Sequence, residues 1–384
     1  MKNIVYKLSV ALLTGSILLA ACGANPAAST GLPAEITLGA VHDLTGSSAV
    51  YGKSIQKGID LAVQQINGQA FFGAGHTFKV VYQDAAGDPD QAANAYEKMI
   101  ANPAIVAILG PTLSTEALAA DPLAQKAGIP VVASSNTVAG ITEMGNFIFR
   151  TSLPESAVIP NTIKVSLAAL HYSKVAILYE SDDAYTQGAY TVFKTVLQAA
   201  SVQILTEETY PKATTDFSAQ LTRIKALNPD AIIVSAYTAE AANIMIQARQ
   251  LGIPDSVRFI GANGFNSPAL AKTAGLAAEG TISGAAWIAT SSFPANLDFV
   301  KSFTAAYGSA PDQFAAQAFT AAWVTAIAIK NANRVDRSAV RDALAQVKDF
   351  NSPLGVFSFD AQREPVHAPV VQVVKNGAFV LFQP

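Results

Sequence analysis

The residues best suited to chemistry in this chain are hydroxyls and amides that follow the ends of apolar segments. The apolar segment Ile105–Leu109 ends at Gly110 and leads, through a proline, into a helix that begins near Ser114. The start of a helix carries unpaired backbone N–H groups and the positive end of the helix dipole. An uncharged, hydroxyl-rich helix start of this kind predicts a binding site for an anion, and a carboxylate would suit it.

The residue patterns typical of enzymes are missing from the sequence. The chain has neither a glycine-rich phosphate loop nor the Gly-x-Ser-x-Gly turn that presents a catalytic serine. One cysteine and four scattered histidines do not make a zinc site. His42 and Asp43 at a strand end could form an acid/base pair, but no nucleophile accompanies them and a structural role is favoured. We therefore predict a binding protein with no catalytic residue, metal or cofactor.

Alternating strands and helices must position these residues. Apolar periodicity predicts strands at 36–41, 78–82, 105–109, 130–133 and 147–150, and helices at about 52–67, 88–100 and 114–128. Pro122 predicts a kink or restart in the third helix. This alternation is typical of a parallel sheet covered by helices, with the ligand beyond the carboxyl ends of the strands. Three polar loops are expected there, at 42–51, 110–115 and 134–137.

The same α/β pattern restarts near residue 156, so two lobes are predicted. Strands are expected at 174–179, 202–207, 231–234 and 257–260, with helices between them. Later segments predict helices at 297–307, 313–330 and 337–345, then strands at 355–359, 370–375 and 378–382. The uncharged stretch 313–329 is short for a membrane span and contains Gln and Thr, which favours a buried helix. Strands this late imply that the chain returns to a lobe begun earlier.

The first 21 residues are typical of an export signal. Lys2 and Lys7 precede an uncharged apolar stretch at 8–19, and small residues come before Cys22. Leu19-Ala20-Ala21-Cys22 is typical of a bacterial lipobox, so we predict a lipid on Cys22, with an ordinary signal peptide as the alternative. Residues 22–34 are small and polar, which predicts a flexible tether. A single cysteine rules out an intramolecular disulfide.

The net charge limits the classes of binding partner, and the size of the chain indicates the number of lobes. Residues 1–21 contain two lysines and no acid, so the rest carries 23 basic and 28 acidic residues, a formal net charge of −5. No basic patch is present, which argues against nucleic acid. Only 14% of residues are charged and 51% are hydrophobic, as in a globular protein with much buried sheet. The roughly 350 residues that follow the tether are more than a single hydrophobic core usually holds, which again favours two lobes.

Six segments in a fixed order carry a family resemblance. They are Ile-Thr-Leu-Gly-Ala-Val-His-Asp-Leu-Thr-Gly (36–46), Tyr-Gly-Lys-Ser (51–54), Gly-Ile-Asp-Leu-Ala-Val-Gln-Gln-Ile-Asn (58–67), Tyr-Gln-Asp-Ala-Ala-Gly-Asp-Pro (82–89), Ile-Leu-Gly-Pro (108–111) and Ala-Gly-Ile-Pro-Val-Val (127–132). With these segments the chain resembles, over nearly its whole length beyond the signal, the type I periplasmic substrate-binding proteins of branched-chain amino acid ABC transporters.

The resemblance implies two Rossmann-like lobes joined by three hinge crossings, which we expect near residues 155, 286 and 366. Lobe 1 would comprise 35–155 and 286–366, and lobe 2 would comprise 156–285 and 367–384. A small ligand would lie in the cleft between them, and closure of the lobes would present it to membrane permease subunits. The protein is then expected to be an exported, lipid-anchored monomer on the periplasmic or extracellular face.

The resemblance also implies the site residues. Hydroxyl and backbone groups would hold the ligand's carboxylate at Ser114, Ser135 and Thr137. Aromatic side chains would line the cleft at Tyr51, Tyr185 and Tyr237, the last beside the ligand's ammonium group.

One position departs from the family pattern. Amino-acid binders of the family place a glutamate against the ammonium group, where this chain has Asn263. Either another acid, Asp183 or Glu240, supplies the charge, or the ligand is an aromatic or aliphatic carboxylate or a small amide. Both possibilities stay open, as do a sensor ectodomain of the same fold and an exported α/β hydrolase.

Overall fold

The first of two main sheets consists of five parallel strands in the spatial order β2-β1-β3-β4-β5. These strands are β1 Glu35–His42, β2 Thr77–Asp84, β3 Ile105–Leu109, β4 Val131–Ala133 and β5 Ile148–Arg150. The helices between them are α1 Ala49–Gly68, α2 Pro89–Ala101 and α3 Ser114–Ala127. The computed structural model describes residues 31–383, so the predicted signal, Cys22 and most of the tether lie outside the described residues.

The second sheet has seven strands in the order β14-β13-β10-β9-β8-β6-β7. Its strands are β6 Lys174–Glu180, β7 Gln203–Tyr210, β8 Ala231–Ser235, β9 Arg258–Gly261, β10 Ile282–Ala285, β13 Val370–Lys375 and β14 Ala378–Leu381. All pairings are parallel except those of β13 with β10 and with β14. Its helices are α4 Glu155–Leu170, α5 Ala184–Ala199, α6 Ser218–Ala226, α7 Thr238–Gln250 and α8 Pro268–Ala274. The prediction of an α/β protein with two lobes is confirmed.

The chain between β10 and β13 returns to the first sheet as three helices and a hairpin. These elements are α9 Pro294–Tyr307, α10 Gln313–Ala332, α11 Arg337–Leu344, and the hairpin of β11 Phe350–Ser352 and β12 Gly355–Phe357. One face of the first sheet packs against α1, α9, α10 and α11, and the other packs against α2 and α3. The second sheet is covered by α4 and α5 on one face and by α6, α7 and α8 on the other. We call these two assemblies the first and second lobes.

Helix α10 is the centre of the first lobe. Its uncharged stretch is almost wholly buried and packs along α1, as the buried-helix prediction requires. Gly58 of α1 makes this close approach possible, because a Cβ there would lie 2.2 Å from the carbonyl oxygen of Ala315. No helix within residues 31–383 is long and apolar enough to cross a membrane.

The structure refines three local predictions. Helix α3 runs through Pro122 without the predicted restart, and the carbonyl that a proline leaves unpaired belongs to Leu118, a residue that is 44% exposed. The loop after β1 is shorter than predicted, because α1 begins at Ala49 and takes Tyr51 into its first turn. The strand predicted at 355–359 is present but shorter: β12 ends at Phe357 and pairs with β11, and Phe357 and Phe359 pack into the first lobe's core.

Candidate functional site

Strand ends and helix starts from both lobes surround one cavity. The first lobe supplies Ser114 at the start of α3, Ser135 after β4, and Tyr51 on α1. The second lobe supplies Tyr185 on α5, Tyr237 before α7, and Asn263 after β9. Six of the seven predicted site residues therefore meet at one place. Leu113, Thr112, Gly264 and Phe314 complete the lining, and we call this space the anchor cavity.

The start of α3 is shaped to leave its positive end available. Gly110 has φ +128°, and a Cβ there would lie 2.2 Å from the carbonyl oxygen of Val41, so this turn requires glycine. The Leu113 N–H donates to Glu116 Oε2 at 2.8 Å. Burial raises the pKa of Glu116 to about 8. A carboxyl that is mostly neutral at pH 7 does not cancel the helix dipole, so the N-terminus can still attract an anion.

The three predicted hydroxyls differ in what they can offer a ligand. Ser135 Oγ donates to the Thr112 carbonyl at 2.6 Å, and Thr137 Oγ1 donates to Glu155 Oε1 at 3.1 Å. Ser114 Oγ instead accepts from the N–H groups of Thr137 and Val138, at 3.2 and 3.4 Å. Within residues 31–383, Ser114 is thus the one of the three that keeps its hydroxyl hydrogen for a ligand. Thr137 is not part of the cavity wall.

The three tyrosines present rings to the cavity and bind protein groups through their hydroxyls. Tyr51 donates to the Gly264 carbonyl and accepts from the Thr238 N–H, both at 2.7 Å. Tyr185 accepts from the Gly264 N–H at 2.6 Å. The Tyr237 ring lies 6.0 Å from that of Tyr51 and 5.2 Å from that of Tyr185, between centroids. The result is an aromatic wall opposite the polar start of α3.

Asn263 lies where the two lobes meet. Its Nδ2 donates to the Ser135 carbonyl at 3.3 Å, and its Oδ1 accepts from Gln313 Nε2 at 2.5 Å. Its backbone N–H donates to Glu155 Oε1 at 3.3 Å. Asn263 therefore spans from the second lobe to the first, with an acid directly beneath it.

That acid, Glu155, was missed by the sequence reasoning. Its side chain is 2% exposed, and Oε2 has no hydrogen-bond partner among the described residues. Burial raises the pKa of Glu155 to about 7. A glutamate in the first turn of a helix is common for electrostatic reasons alone, so its sequence context gives no sign of this position. Gln313 and Phe314 were also missed, although a helix was predicted to begin at residue 313 and α10 does begin there.

The two acids proposed from sequence to replace the family glutamate, Asp183 and Glu240, line a neighbouring cavity. Asp183 Oδ2 accepts from the hydroxyls of Thr115 and Tyr237, at 2.7 and 3.1 Å. Glu155 is closer to the place where the sequence pattern expected an acid, since it touches Asn263 itself.

The His42–Asp43 pair is structural in its contacts. His42 is fully buried with Nδ1 3.2 Å from Thr112 Oγ1, and burial lowers its pKa to about 3. The Asp43 carboxylate accepts from the N–H groups of Gly46 and Ser48, which shapes the loop after β1. The described residues contain no group of three or more His, Cys, Asp or Glu side chains placed to hold a metal.

Comparison with known proteins agrees with this architecture. Residues 35–378 match the family described as periplasmic binding protein. The chain belongs to this family. This periplasmic binding protein is similar to the leucine-, isoleucine-, valine-, threonine- and alanine-binding protein of Pseudomonas aeruginosa, with 26% identity over 341 residues that cover 88% of this chain and 87% of that protein.

Two solved structures are informative neighbours. One is a branched-chain amino acid transporter substrate-binding protein of Streptococcus pneumoniae in complex with isoleucine, with 29% identity, a TM-score of 0.83, and coverage of 90% of this chain and 97% of that one. The other is an ABC transporter solute-binding protein of Rhodopseudomonas palustris in complex with 3,4-dihydroxybenzoic acid, with 27% identity, a TM-score of 0.82, and coverage of 90% and 95%.

Family membership settles the class of activity. The relatives are solute-binding proteins of transporters and not enzymes, so this periplasmic binding protein binds a small molecule and acts outside the cytoplasm. The hydrolase alternative is thereby excluded.

Proposed function

We propose that this periplasmic binding protein is the lipid-anchored receptor of an ABC importer, and that it captures a small carboxylate-bearing ligand by closing its lobes. The observation that carries the proposal is the anchor cavity, where the start of α3 and the Ser114 hydroxyl face residues of the second lobe.

The carboxylate would lie against the start of α3. Ser114 would donate its hydroxyl hydrogen, and the N–H groups of the first helical turn would add further donors. Because burial raises the pKa of Glu116 to about 8, its carboxyl would not repel the ligand's charge at neutral pH. Tyr51, Tyr185 and Tyr237 would cover the apolar part of the ligand, the usual combination of an apolar wall with a few polar anchors.

Closure would be stabilised by side chains that reach across the cleft. Tyr51 bonds to Gly264, Thr115 Oγ1 donates to Asp183 at 2.7 Å, and Lys212 Nζ donates to the Gly87 carbonyl at 3.3 Å. The two residues of each pair belong to different lobes. The three hinge crossings are proposed near residues 155, 286 and 366, with lobe 1 as 35–155 and 286–366 and lobe 2 as 156–285 and 367–384. Opening would separate these pairs, and the ligand would shift the population toward closure.

Two ligand classes fit, and Glu155 favours one of them. A ligand ammonium beside Asn263 would find the unpaired Oε2 of a buried carboxyl, and pairing would offset the cost of burying both charges. This supports α-amino acids, the class named for the Pseudomonas aeruginosa relative and present in the isoleucine complex. The dihydroxybenzoate complex keeps plain carboxylates as the second candidate.

A thermal-shift screen of the purified protein tests the proposal. It should contain aliphatic and aromatic amino acids, aromatic carboxylates, short dicarboxylates and small amides. A true ligand at 100 times its Kd adds about 2.7 kcal/mol to the stability of the folded state. Stabilisation by leucine, isoleucine or valine supports the amino-acid branch, and stabilisation by benzoates alone supports the other. If no carboxylate stabilises the protein, the proposal is wrong.

The lipid is tested separately. Cells that express the full-length chain should incorporate radiolabelled fatty acid into this protein, and Cys22→Ser should abolish the label. Labelling that survives Cys22→Ser would contradict a lipid on Cys22.

A further inference from the structure

A second cavity lies beside the anchor cavity, also between the lobes. Leu113 and Tyr237 line both spaces, so the two cavities are adjacent. The charged lining of the second cavity consists of Glu180, Asp183, Glu240 and Lys212. Three acids and one base make this space acidic, and we call it the acidic compartment.

Glu180 is the most buried of these acids, and its carboxyl has no hydrogen-bond donor among the described residues. Its side chain is 2% exposed, yet it accepts no side-chain hydrogen bond from the described residues. Burial, together with the charges of Asp183 and Glu240, raises the pKa of Glu180 to about 8. A buried carboxyl with free lone pairs that faces a cavity is an acceptor without a donor.

The other charged groups of the compartment do not supply a hydrogen-bond donor to Glu180. Asp183 is occupied by the hydroxyls of Thr115 and Tyr237 and by the Thr186 N–H. Lys212 is exposed at the edge and donates to the Gly87 carbonyl. Glu240 is half-buried, and burial raises its pKa as well. The acidic compartment therefore contains two carboxyls, Glu180 and Glu240, that could bind a cation.

We infer that the acidic compartment binds a cationic group at the far end of the ligand whose carboxylate lies at α3. The ligand class is then amino acids or short carboxylates that carry a terminal ammonium or guanidinium group. The inference rests on the proposed function, because the carboxylate end must occupy the anchor cavity. An organic cation suits the site better than a metal ion, since the described residues include no cluster of three metal-binding side chains.

Calorimetry with L-lysine, L-arginine and L-norleucine tests the inference. Norleucine has the lysine chain without the terminal charge, so the pair isolates that charge. We expect lysine or arginine to bind at least about tenfold more tightly than norleucine. A bound ammonium favours the ionised form of Glu180. Glu180→Gln keeps the shape and removes that carboxylate, and it should weaken lysine binding about 30-fold or more while norleucine changes less than about twofold. Glu97→Gln, on the exposed face of α2, is the matched control and should change neither.

A second variant, which removes a positive side chain from the acidic compartment, separates an effect of charge from general damage to the protein. Lys212→Met removes the resident cation together with one bond that would stabilise closure, so the affinity for lysine should rise relative to the affinity for norleucine. Norleucine binding as tight as lysine, or equal losses for both ligands in Glu180→Gln, would overturn the inference. If neutral carboxylates bind in a Ser114-dependent way and the two cationic amino acids do not, the compartment assignment fails and the proposed function stands. If no carboxylate binds at all, both fail.

Discussion

Tyr51→Phe should weaken ligand binding while the ligand-free protein keeps most of its stability. The Tyr51 hydroxyl on α1 donates to the Gly264 carbonyl and accepts from the Thr238 N–H in the second lobe, both at 2.7 Å. Under the proposed hinge motion, these bonds would exist only when the lobes are closed. Phenylalanine keeps the ring, which stacks 4.7 Å from Phe314 between centroids, so the packing of α1 is preserved.

The magnitude follows from what the missing oxygen leaves behind. The Gly264 carbonyl still accepts from Thr238 Oγ1 at 2.9 Å, whereas the Thr238 N–H loses its acceptor. A buried donor without a partner costs about 1–3 kcal/mol. In the proposed open state water would satisfy the same N–H, so the whole cost would fall on closure. The expected loss of affinity is about 5- to 150-fold.

Calorimetry with a ligand from the thermal-shift screen measures this loss, and urea unfolding measures the stability of the ligand-free protein. Tyr172→Phe is the matched control, because its buried hydroxyl pairs with Ser166 Oγ at 3.0 Å inside the second lobe. The control should lower stability and leave affinity unchanged. If Tyr51→Phe gives the same pattern as Tyr172→Phe, the hydroxyl does not act on closure and the reasoning is wrong.

Three further perturbations test other parts of the site. Ser114→Ala should weaken binding of any carboxylate by about 1–3 kcal/mol in calorimetry, because a donor at the start of α3 is lost. Burial raises the pKa of Glu155 to about 7 from an ordinary 4.5; its contribution to stability is therefore full below about pH 4.5 and is lost as the pH rises through 7. Between pH 5 and pH 8, urea unfolding should show a loss of stability that is about 2 to 3 kcal/mol larger in the wild type than in Glu155→Gln, in which the other buried carboxyls still titrate. Glu364→Ala should cost about 3–5 kcal/mol of unfolding free energy, because it strips the buried Arg150 of a carboxylate bound at 2.6 and 2.7 Å.

Each of these has its own control and contrary outcome. Ser166→Ala, away from the cavity, should leave affinity intact, and an unchanged affinity in Ser114→Ala would remove that residue from the site. A pH dependence of stability that is the same in Glu155→Gln and the wild type would show that this carboxyl is not the group that titrates. Glu35→Ala breaks an exposed pair with Lys79 and should cost less than about 1 kcal/mol; an equal cost for Glu364→Ala would contradict the burial argument.

Local pattern was enough to predict much of the fold. The uncharged stretch of α10 could be recognised as a buried helix from its length and its Gln and Thr residues. Ser114 could be recognised because a strand, a turn and a hydroxyl-rich helix start are adjacent in the chain. Both predictions depend on neighbours within about 20 residues, where periodicity and turn chemistry carry the information.

What the sequence could not predict depends on how the lobes meet. Tyr51 bonds to a carbonyl 213 residues away, and Glu155 bonds to a backbone N–H 108 residues away. The direction of the Thr137 side chain is likewise set by a later element, because its hydroxyl donates to Glu155 in α4 and does not face the anchor cavity. Such contacts leave no local periodicity, and an acid beside Asn263 could not be expected from the residues around that asparagine.

The long excursion that brings α9 and α10 back to the first lobe has a consequence for folding. Tyr307 donates to the Lys57 carbonyl across 250 residues, and Lys330 donates to the Phe71 carbonyl across 259. Closing loops of this length costs entropy before any contact repays it, and contacts so distant in sequence slow folding. The first lobe therefore cannot complete its core until the chain has been made to about residue 359, because Phe359 belongs to that core. In the proposed export of this protein, that delay would keep the chain unfolded for passage through a translocation channel.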